Sequence, residues 1–431
     1  MKRIVLGVIP WLLVMAGGAA LPATAAVCDV QVQPAATLLL PYFEVNLVNP
    51  NIMDTLLWVN NALPNAELAH LTIWSDLGIQ VTAFNIYLTG FDVQPIDLSD
   101  ILVNGNLPQT ASTGQDPADT ISPKGFLSQD INFASCNGML PPPRLPSAFT
   151  AYLQAALTGQ PSAIRGNLCV GRSFGDHVAR GYITIDVVNN CTLRFPGDVG
   201  YFGAGGTGDA TDTNALFGDF MFVSSGTTQA LSFPLVHILA SSTDPQTTTS
   251  GNYTFYGRLD GWTAIDNRAP LPTTFGARYY NSAPTVSSII AWRDTKTTPA
   301  PFACPVTGDL RPAWFPLGFE GIVIFDEQEH PSEPTPAPVS PVPLGSTITP
   351  FAAAAQRTKV GGSVLPEPFQ FGWMYLDLNT TVTPAGANPP ADPAADQAWV
   401  SVLLAVNGTF VTGFDAMHYD SACAARHIAE P

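Results

Sequence analysis

The spacing most suggestive of chemistry is Gly171-Arg172-Ser173-Phe174-Gly175, followed at once by Asp176-His177. A G-x-S-x-G run is a nucleophile elbow when its serine sits on a strained turn between a strand and a helix. The hydroxyl is then exposed, and a histidine distant in sequence can take its proton. Here the run opens a strand pattern rather than a helix, and His177 is too close in sequence to be the usual partner. With 36 glycines in the chain, such a run also arises from composition alone. A structural loop is the expectation; a serine hydrolase working through Ser173 is the alternative.

Two acidic stretches could hold a cation. Phe325-Asp326-Glu327-Gln328-Glu329-His330 gathers three carboxylates and an imidazole, and Asp209, Asp212, Asn214 and Asp219 form a looser set. Oxygen-rich clusters of this kind suit calcium. Their spacing matches no metal loop, so solvated acidic turns are expected, with Asp209, Asp212, Asp326 and Glu327 as the calcium candidates. No other cofactor is expected. The chain has no H-E-x-x-H, no C-x-x-C and no P-loop run.

Aromatic and guanidinium groups cluster later in the chain. Trp262, Tyr279, Tyr280 and Trp292 lie near Arg258, Arg268, Arg278 and Arg293. Flat rings beside fork-shaped donors are what a carbohydrate-binding surface uses. Trp262, Arg268, Arg278, Tyr279, Trp292 and Arg293 are the candidate ligand residues, with core packing between sheets as the plainer reading. Nine arginines fall between Arg165 and Arg311. Ion pairs with Asp176, Asp186, Asp260, Asp266 and Asp294 are expected of them, and an anion site is the sharper alternative.

The start of the chain supplies the compartment. Lys2-Arg3, an apolar run from Ile4 to Met15 and the small residues Ala23-Thr24-Ala25-Ala26 make a secretory leader over residues 1–26. Its apolar core is too short to span a bilayer, and no later run reaches the length of a membrane helix. Val27 before Cys28 is not the small residue that lipidation requires. All six cysteines follow the leader: Cys28, Cys136, Cys169, Cys191, Cys304 and Cys423. An even count in an exported chain predicts disulfides. Fifteen pairings are open, and Cys169 with Cys191, flanking one strong strand, is favoured. The expected address is the periplasm, the cell surface or the extracellular space. A formal net charge of −17 argues against nucleic acid and anionic membrane as partners. An envelope or extracellular polymer remains, and the oligomeric state stays open.

These residues need a scaffold, and the composition says which kind. Charged residues are only 12% of the chain and hydrophobic ones 46%, with many glycines and prolines. That suits sheets joined by turns, not helices with wet charged faces. The expected class is mainly β: two β-sandwich (immunoglobulin-like) regions, one short helix and a Pro-rich spacer. Strand signals divide the mature chain into an N-terminal sandwich over 27–107 and an irregular linker over 108–178. A second β-rich domain follows over 179–330, then a spacer over 331–365 and a C-terminal hairpin piece over 366–431 that docks on the second domain. Within the linker, Pro146-Ser147, the Phe149/Leu153/Leu157 repeat and Gly159 predict the helix. In Leu68 to Trp74, His70 and Thr72 alternate with Leu71 and Ile73, the period of a strand.

Leu39-Leu40-Pro41-Tyr42-Phe43-Glu44-Val45, Tyr87-Leu88-Thr89-Gly90-Phe91-Asp92-Val93, Ala179-Arg180-Gly181-Tyr182 and Phe195-Pro196-Gly197 resemble stretches of a group of exported bacterial β-rich proteins of similar length. Trp314-Phe315-Pro316-Leu317-Gly318 and Gly413-Phe414-Asp415-Ala416 extend the resemblance over most of the mature chain. That group has no assigned activity, so the resemblance implies bacterial export and assigns no catalytic residue. The functional expectation is an exported, non-enzymatic structural or binding protein of the cell envelope or extracellular space, with glycan binding as its main variant.

Overall fold

The computed structural model describes residues 33–110, 140, 144–227, 229–248, 254–294, 300–304, 321–332, 351, 353–362, 369–378, 397–406 and 410–421. The leader, Cys28, Cys136, Cys423, most of the Pro-rich spacer and Trp314–Gly318 lie outside them.

The architecture is mainly β, built from antiparallel sheets. In chain order the first nine strands are β1 (Thr37–Asn46), β2 (Asp54–Asn61), β3 (Glu67–Ser75), β4 (Gln80–Leu88), β5 (Val93–Asp97), β6 (Val178–Val188), β7 (Leu216–Ser224), β8 (Gln229–Pro234) and β9 (Val236–Ile238). They make two sheets, ordered β4-β3-β6-β1-β9 and β5-β2-β7-β8. The alternation in β3 is expressed as the sequence predicts. Leu71 and Ile73 line up with Ile185 and Ile183 of β6, while His70 and Thr72 line up with Asp186 and Thr184. The apolar set joins Leu57, Val59 and Ile96 of the smaller sheet in one core. Each such aliphatic side chain contributes about 1.5–3 kcal/mol on burial. Helix α1 (Ser147–Leu157) starts at Pro146 and ends before Gly159, whose φ of +67° is the left-handed conformation that favours glycine there. A Cβ at Gly159 would stand 2.3 Å from the Arg172 carbonyl carbon, so the helix end is pressed onto the G-x-S-x-G loop.

The remaining strands are β10 (Pro272–Tyr280), β11 (Thr285–Arg293), β12 (Gly321–Asp326), β13 (Pro331–Ser332), β14 (Ala355–Lys359), β15 (Phe371–Asp377), β16 (Ala398–Val406), β17 (Phe410–Asp415) and β18 (Met417–Ser421). They form the sheets β13-β12-β15-β10-β18 and β14-β11-β16-β17. Phe275, Ala277, Ile289, Ala291, Ile324, Met374, Leu376, Val400 and Val402 share a second core drawn from both sheets.

The sequence-based boundaries do not follow the sheets. Residues 27–107 supply β1 to β5, but β6 runs between β1 and β3. Strand β6 is buried along nearly all of its eleven residues, so only a central position between two partners satisfies it. The stretch 179–330 is accordingly split between the two halves. The C-terminal piece is not a docked hairpin either: β15 lies between β12 and β10, and β16 lies between β11 and β17. The change of sheets comes between β9 and β10.

The halves share one apolar core, since Trp292, Ala355, Trp399 and Leu403 belong to the first cluster. A buried Arg258–Asp294 ion pair sits where they meet, with Arg258 NH2 3.5 Å from the Tyr182 hydroxyl. A Cys169–Cys304 disulfide adds a covalent tie. This corrects the Cys169–Cys191 expectation. Strand β6 lies between those two cysteines, and eleven extended residues span about 36 Å. Cys169 instead exchanges two backbone hydrogen bonds with Phe302, at 2.9 and 3.0 Å, which brings Cys304 alongside. Cys191 is disulfide-bonded as well. Among the described residues no helix is long and apolar enough to cross a membrane.

Candidate binding site

The structure scatters the residues that the sequence singled out. Ser173 lies in the loop that leads directly into β6, and no helix follows it. Its Oγ accepts a hydrogen bond from Gln160 Nε2 at 2.9 Å. Its neighbour Arg172 is buried, and its backbone N–H and Nε donate to Asp76 at 3.0 and 2.6 Å. Phe174 packs under two guanidiniums, Arg180 at 4.6 Å and Arg172 at 5.1 Å. The loop is therefore fastened by arginine contacts, and among the described residues no histidine bonds to Ser173. The elbow geometry is absent.

The aromatic and arginine set does not form a surface. Trp262, Arg268, Tyr279, Trp292 and Arg293 are all buried. Trp292 stacks on Phe255 and meets Tyr182 edge-on in the core between the halves. Arg293 donates to the backbone carbonyls of Phe351 and Leu378 at 2.9 and 2.7 Å. Arg278 alone of the six is exposed, and it lies over the Phe414 ring.

The carboxylates named for calcium are engaged elsewhere. Asp209 accepts from Thr192 Oγ1 at 2.7 Å and pairs with Arg194 at 2.9 Å. Asp212 accepts from Asn267 Nδ2 and stands 3.7 Å from Arg268. Asp326 closes its own turn, accepting the N–H groups of Gln328 and His330 and meeting the His330 ring at 2.9 Å. Glu327 points to solvent. Among the described residues no three metal-ligating side chains converge.

Arg268 belongs to a buried network on the polar face of β3 and β6. Asp186 accepts from Thr37 Oγ1 at 2.5 Å, from Tyr201 at 2.7 Å and from Tyr256 at 3.0 Å. Arg268 Nε donates to Thr37 at 2.9 Å and stands 3.7 Å from Asp186. Burial raises the tyrosine hydroxyls well above their usual range, and the Asp186 charge adds to this. Burial likewise lowers His70, whose Nδ1 meets Asn85 Oδ1 at 2.9 Å, so the imidazole is neutral. This network is closed to solvent and holds the sheet together.

An open site lies on the other sheet, at residues the sequence did not flag. A cleft of about 310 Å³ is lined by Trp58 and Leu56 of β2, Gln94 and Asp97 of β5, and Asp100 and Asn106. In β2, Leu57 and Val59 turn inward and Trp58 outward, half-exposed. Across the sheet Trp58 stands level with Pro95 and Asp219, and Leu56 with Asp97 and Met221, so these side chains share the outer face. Pro95 fits because β5 is an edge strand.

After β5 the chain makes a single π turn over Asp100–Asn104, a form common at functional sites. It ends at Gly105, whose φ is +74°, and a Cβ there would stand 2.5 Å from Thr150 Oγ1 of α1. Gln154 of α1 donates to the Leu102 carbonyl at 2.9 Å, so the helix braces the cleft wall. Asp100 Oδ1 accepts from Asn104 and Asn106, both at 2.9 Å. Asp97 Oδ1 accepts from Ser99 Oγ at 2.8 Å and from the Asp100 N–H at 3.1 Å. The second oxygen of Asp100 and the indole N–H of Trp58 take no hydrogen bond among the described residues, while the Asp97 carboxylate also meets the Asp54 carboxyl in a side-chain hydrogen bond. Behind them Asp54 is buried, with Oδ1 taking the Thr55 and Ser99 N–H groups. Burial, and next the Asp97 charge, push Asp54 up to about 7.

A flat ring, two carboxylates and two amide side chains can grip a polyhydroxylated ligand. The one sequence signal for this was the strand period through Thr55–Asn60, which puts Trp58 opposite to Leu57 and Val59. Comparison with known proteins leaves this geometry to speak for itself: the chain matches no protein family, no curated protein and no solved structure.

Proposed function

We propose that the protein is an exported binding protein of the bacterial cell envelope or extracellular space, acting by binding rather than catalysis, and that a glycan lies on the outer face of the β5-β2-β7-β8 sheet. The observation that carries this is the open cleft beside the outward Trp58. Rings presented on a rigid sheet supply contact area at little entropic cost, and the neighbouring carboxylates and amides fix hydroxyl groups. The leader pattern and the Cys169–Cys304 disulfide support an oxidising compartment.

The test is retention of the purified protein on a panel of insoluble and soluble polysaccharides, beside Trp58→Ala. Binding to at least one glycan, weakened about tenfold or more by Trp58→Ala, is the expected result for a central ring contact. Failure to bind any glycan, or full binding by the variant, overturns the proposal.

A further inference from the structure

We infer that the ligand of the Trp58 cleft is a glycan carrying free amino groups, a de-N-acetylated amino-sugar chain. The inference rests on the glycan reading above and adds the sign of the ligand's charge.

The argument is one of charge left unbalanced. Several buried carboxylates elsewhere in the protein are matched with guanidinium groups. Asp76 meets Arg172 at 2.6 Å, Asp294 meets Arg258, and Glu44 meets Arg357 at 3.1 Å. Asp186 has Arg268 at 3.7 Å. No such match lines the cleft. Asp97 and Asp100 line it, Asp54 lies buried behind Ser99, and Asp219 stands beside Trp58 across the sheet. None of the lining residues is an arginine or a lysine. Asp97, Asp100 and Asp219 thus share the outer face with a ring whose own face is attractive to cations.

An ammonium group in the cleft would supply the missing charge. It would donate to the open oxygen of Asp100 and to the Asp97 carboxylate, and lie near the Trp58 face. The ring hydroxyls of the same sugar are matched by Gln94 and Asn106. Those two amides are why a sugar fits better than a basic peptide, which offers charge and no row of hydroxyls. The cleft of about 310 Å³ is at the small end for ligand sites and takes a short stretch of chain. An anionic or fully acetylated polymer would bring no charge to offset the carboxylates.

The experiment is calorimetry on the full chain in slightly acidic buffer with four probes: a glucosamine hexamer, an N-acetylglucosamine hexamer, a cellohexaose and a lysine hexamer. The glucosamine hexamer should bind at least about tenfold tighter than the acetylated one, and raising salt should erase most of that margin. Asp97→Asn keeps the Oδ1 acceptor, and Asp219→Asn touches no side-chain hydrogen bond among the described residues. Both should lower the glucosamine preference several-fold, and Asp219→Asn should leave cellohexaose binding unchanged. Equal affinity for amino and acetylated hexamers overturns the charge inference while the glycan reading stands. Equal binding of the lysine hexamer, unaffected by Trp58→Ala, overturns it in favour of a general cation surface. No binding of any sugar defeats both readings together.

Discussion

Asp186 and Asp97 belong to neighbouring sheets of one sandwich and meet opposite surroundings. Asp186 is fully buried and takes three hydroxyl hydrogen bonds, with Arg268 at 3.7 Å to balance its charge. Asp97 is exposed, shares its neighbourhood with Asp54 and Asp100, and has no cation among the residues lining its cleft. Both sites combine carboxylates with aromatic rings. What separates them is whether the charge is already balanced. A matched carboxylate in a closed network has its interaction energy committed to the fold. An unmatched one at an open cleft still has interaction energy available to a ligand.

The comparison breaks most visibly at Asp186. Asp186→Ala leaves the buried Arg268 guanidinium with Asp212 as its remaining carboxylate and removes the acceptor shared by Thr37, Tyr201 and Tyr256. Removing one member of a buried pair costs about 3–5 kcal/mol, a large part of the total stability of a typical domain. The expected outcome is a large drop in the denaturant midpoint, or failure to fold. A variant with wild-type stability would show that the network is idle. Trp58→Ala, by contrast, removes a half-exposed ring and should change stability far less while abolishing ligand binding. If both variants unfold alike, the division between a structural and a ligand-facing site fails.

How much of this was legible in sequence follows from what each signal measures. Strand periodicity is local, so β3 and β6 were readable, and α1 was readable from its proline, its Leu153 and Leu157 spacing and Gly159. Sheet order is not local. Nothing between residues 27 and 107 records that β6 will arrive from residue 178 to separate β1 from β3. The same limit misled the Trp262–Arg293 set, because rings and guanidiniums read alike whether they face solvent or a second sheet. Trp58 was legible in principle from the inward Leu57 and Val59. Its companions Asp97 and Asp100 were not, since the π turn that brings them together is fixed by contact with α1, some fifty residues away.

A smaller effect sharpens the comparison through pH. Asp54 titrates near 7 in the folded protein, raised chiefly by burial and then by the Asp97 charge, while Ser99 and Thr55 pull the other way. Its unfolded counterpart titrates in the ordinary carboxylate range. The folded chain therefore holds more protons between about 4 and about 7, and its stability falls as pH rises through that window. The contribution is fully present at the acid end and gone above about 7. Asp54→Asn keeps the Oδ1 acceptor and removes the titration. Thermal unfolding across the window should show a shallower decline for the variant than for the wild type, with the variant the more stable above pH 7. Parallel curves would mean that Asp54 ionises normally and the cleft is less acidic than its geometry implies.

The smallest effect is expected at Ser173, the residue whose spacing first suggested chemistry. Among the described residues its hydroxyl meets only the Gln160 amide, while the loop around it is held by Arg172 to Asp76 and by Phe174 beneath two guanidiniums. Ser173→Ala should alter stability by no more than about 0.5 kcal/mol, as at an ordinary surface position. Arg172→Ala should cost far more, since it leaves Asp76 buried and uncompensated. A fluorophosphonate probe should label neither the wild type nor the variant. Labelling of the wild type that Ser173→Ala abolished would mean that the loop rearranges to recruit a base, and the motif would then outrank the cleft. The expected pattern instead assigns the run to architecture: Gly171 and Gly175 admit the tight path, and Arg172 anchors it to the turn after β3.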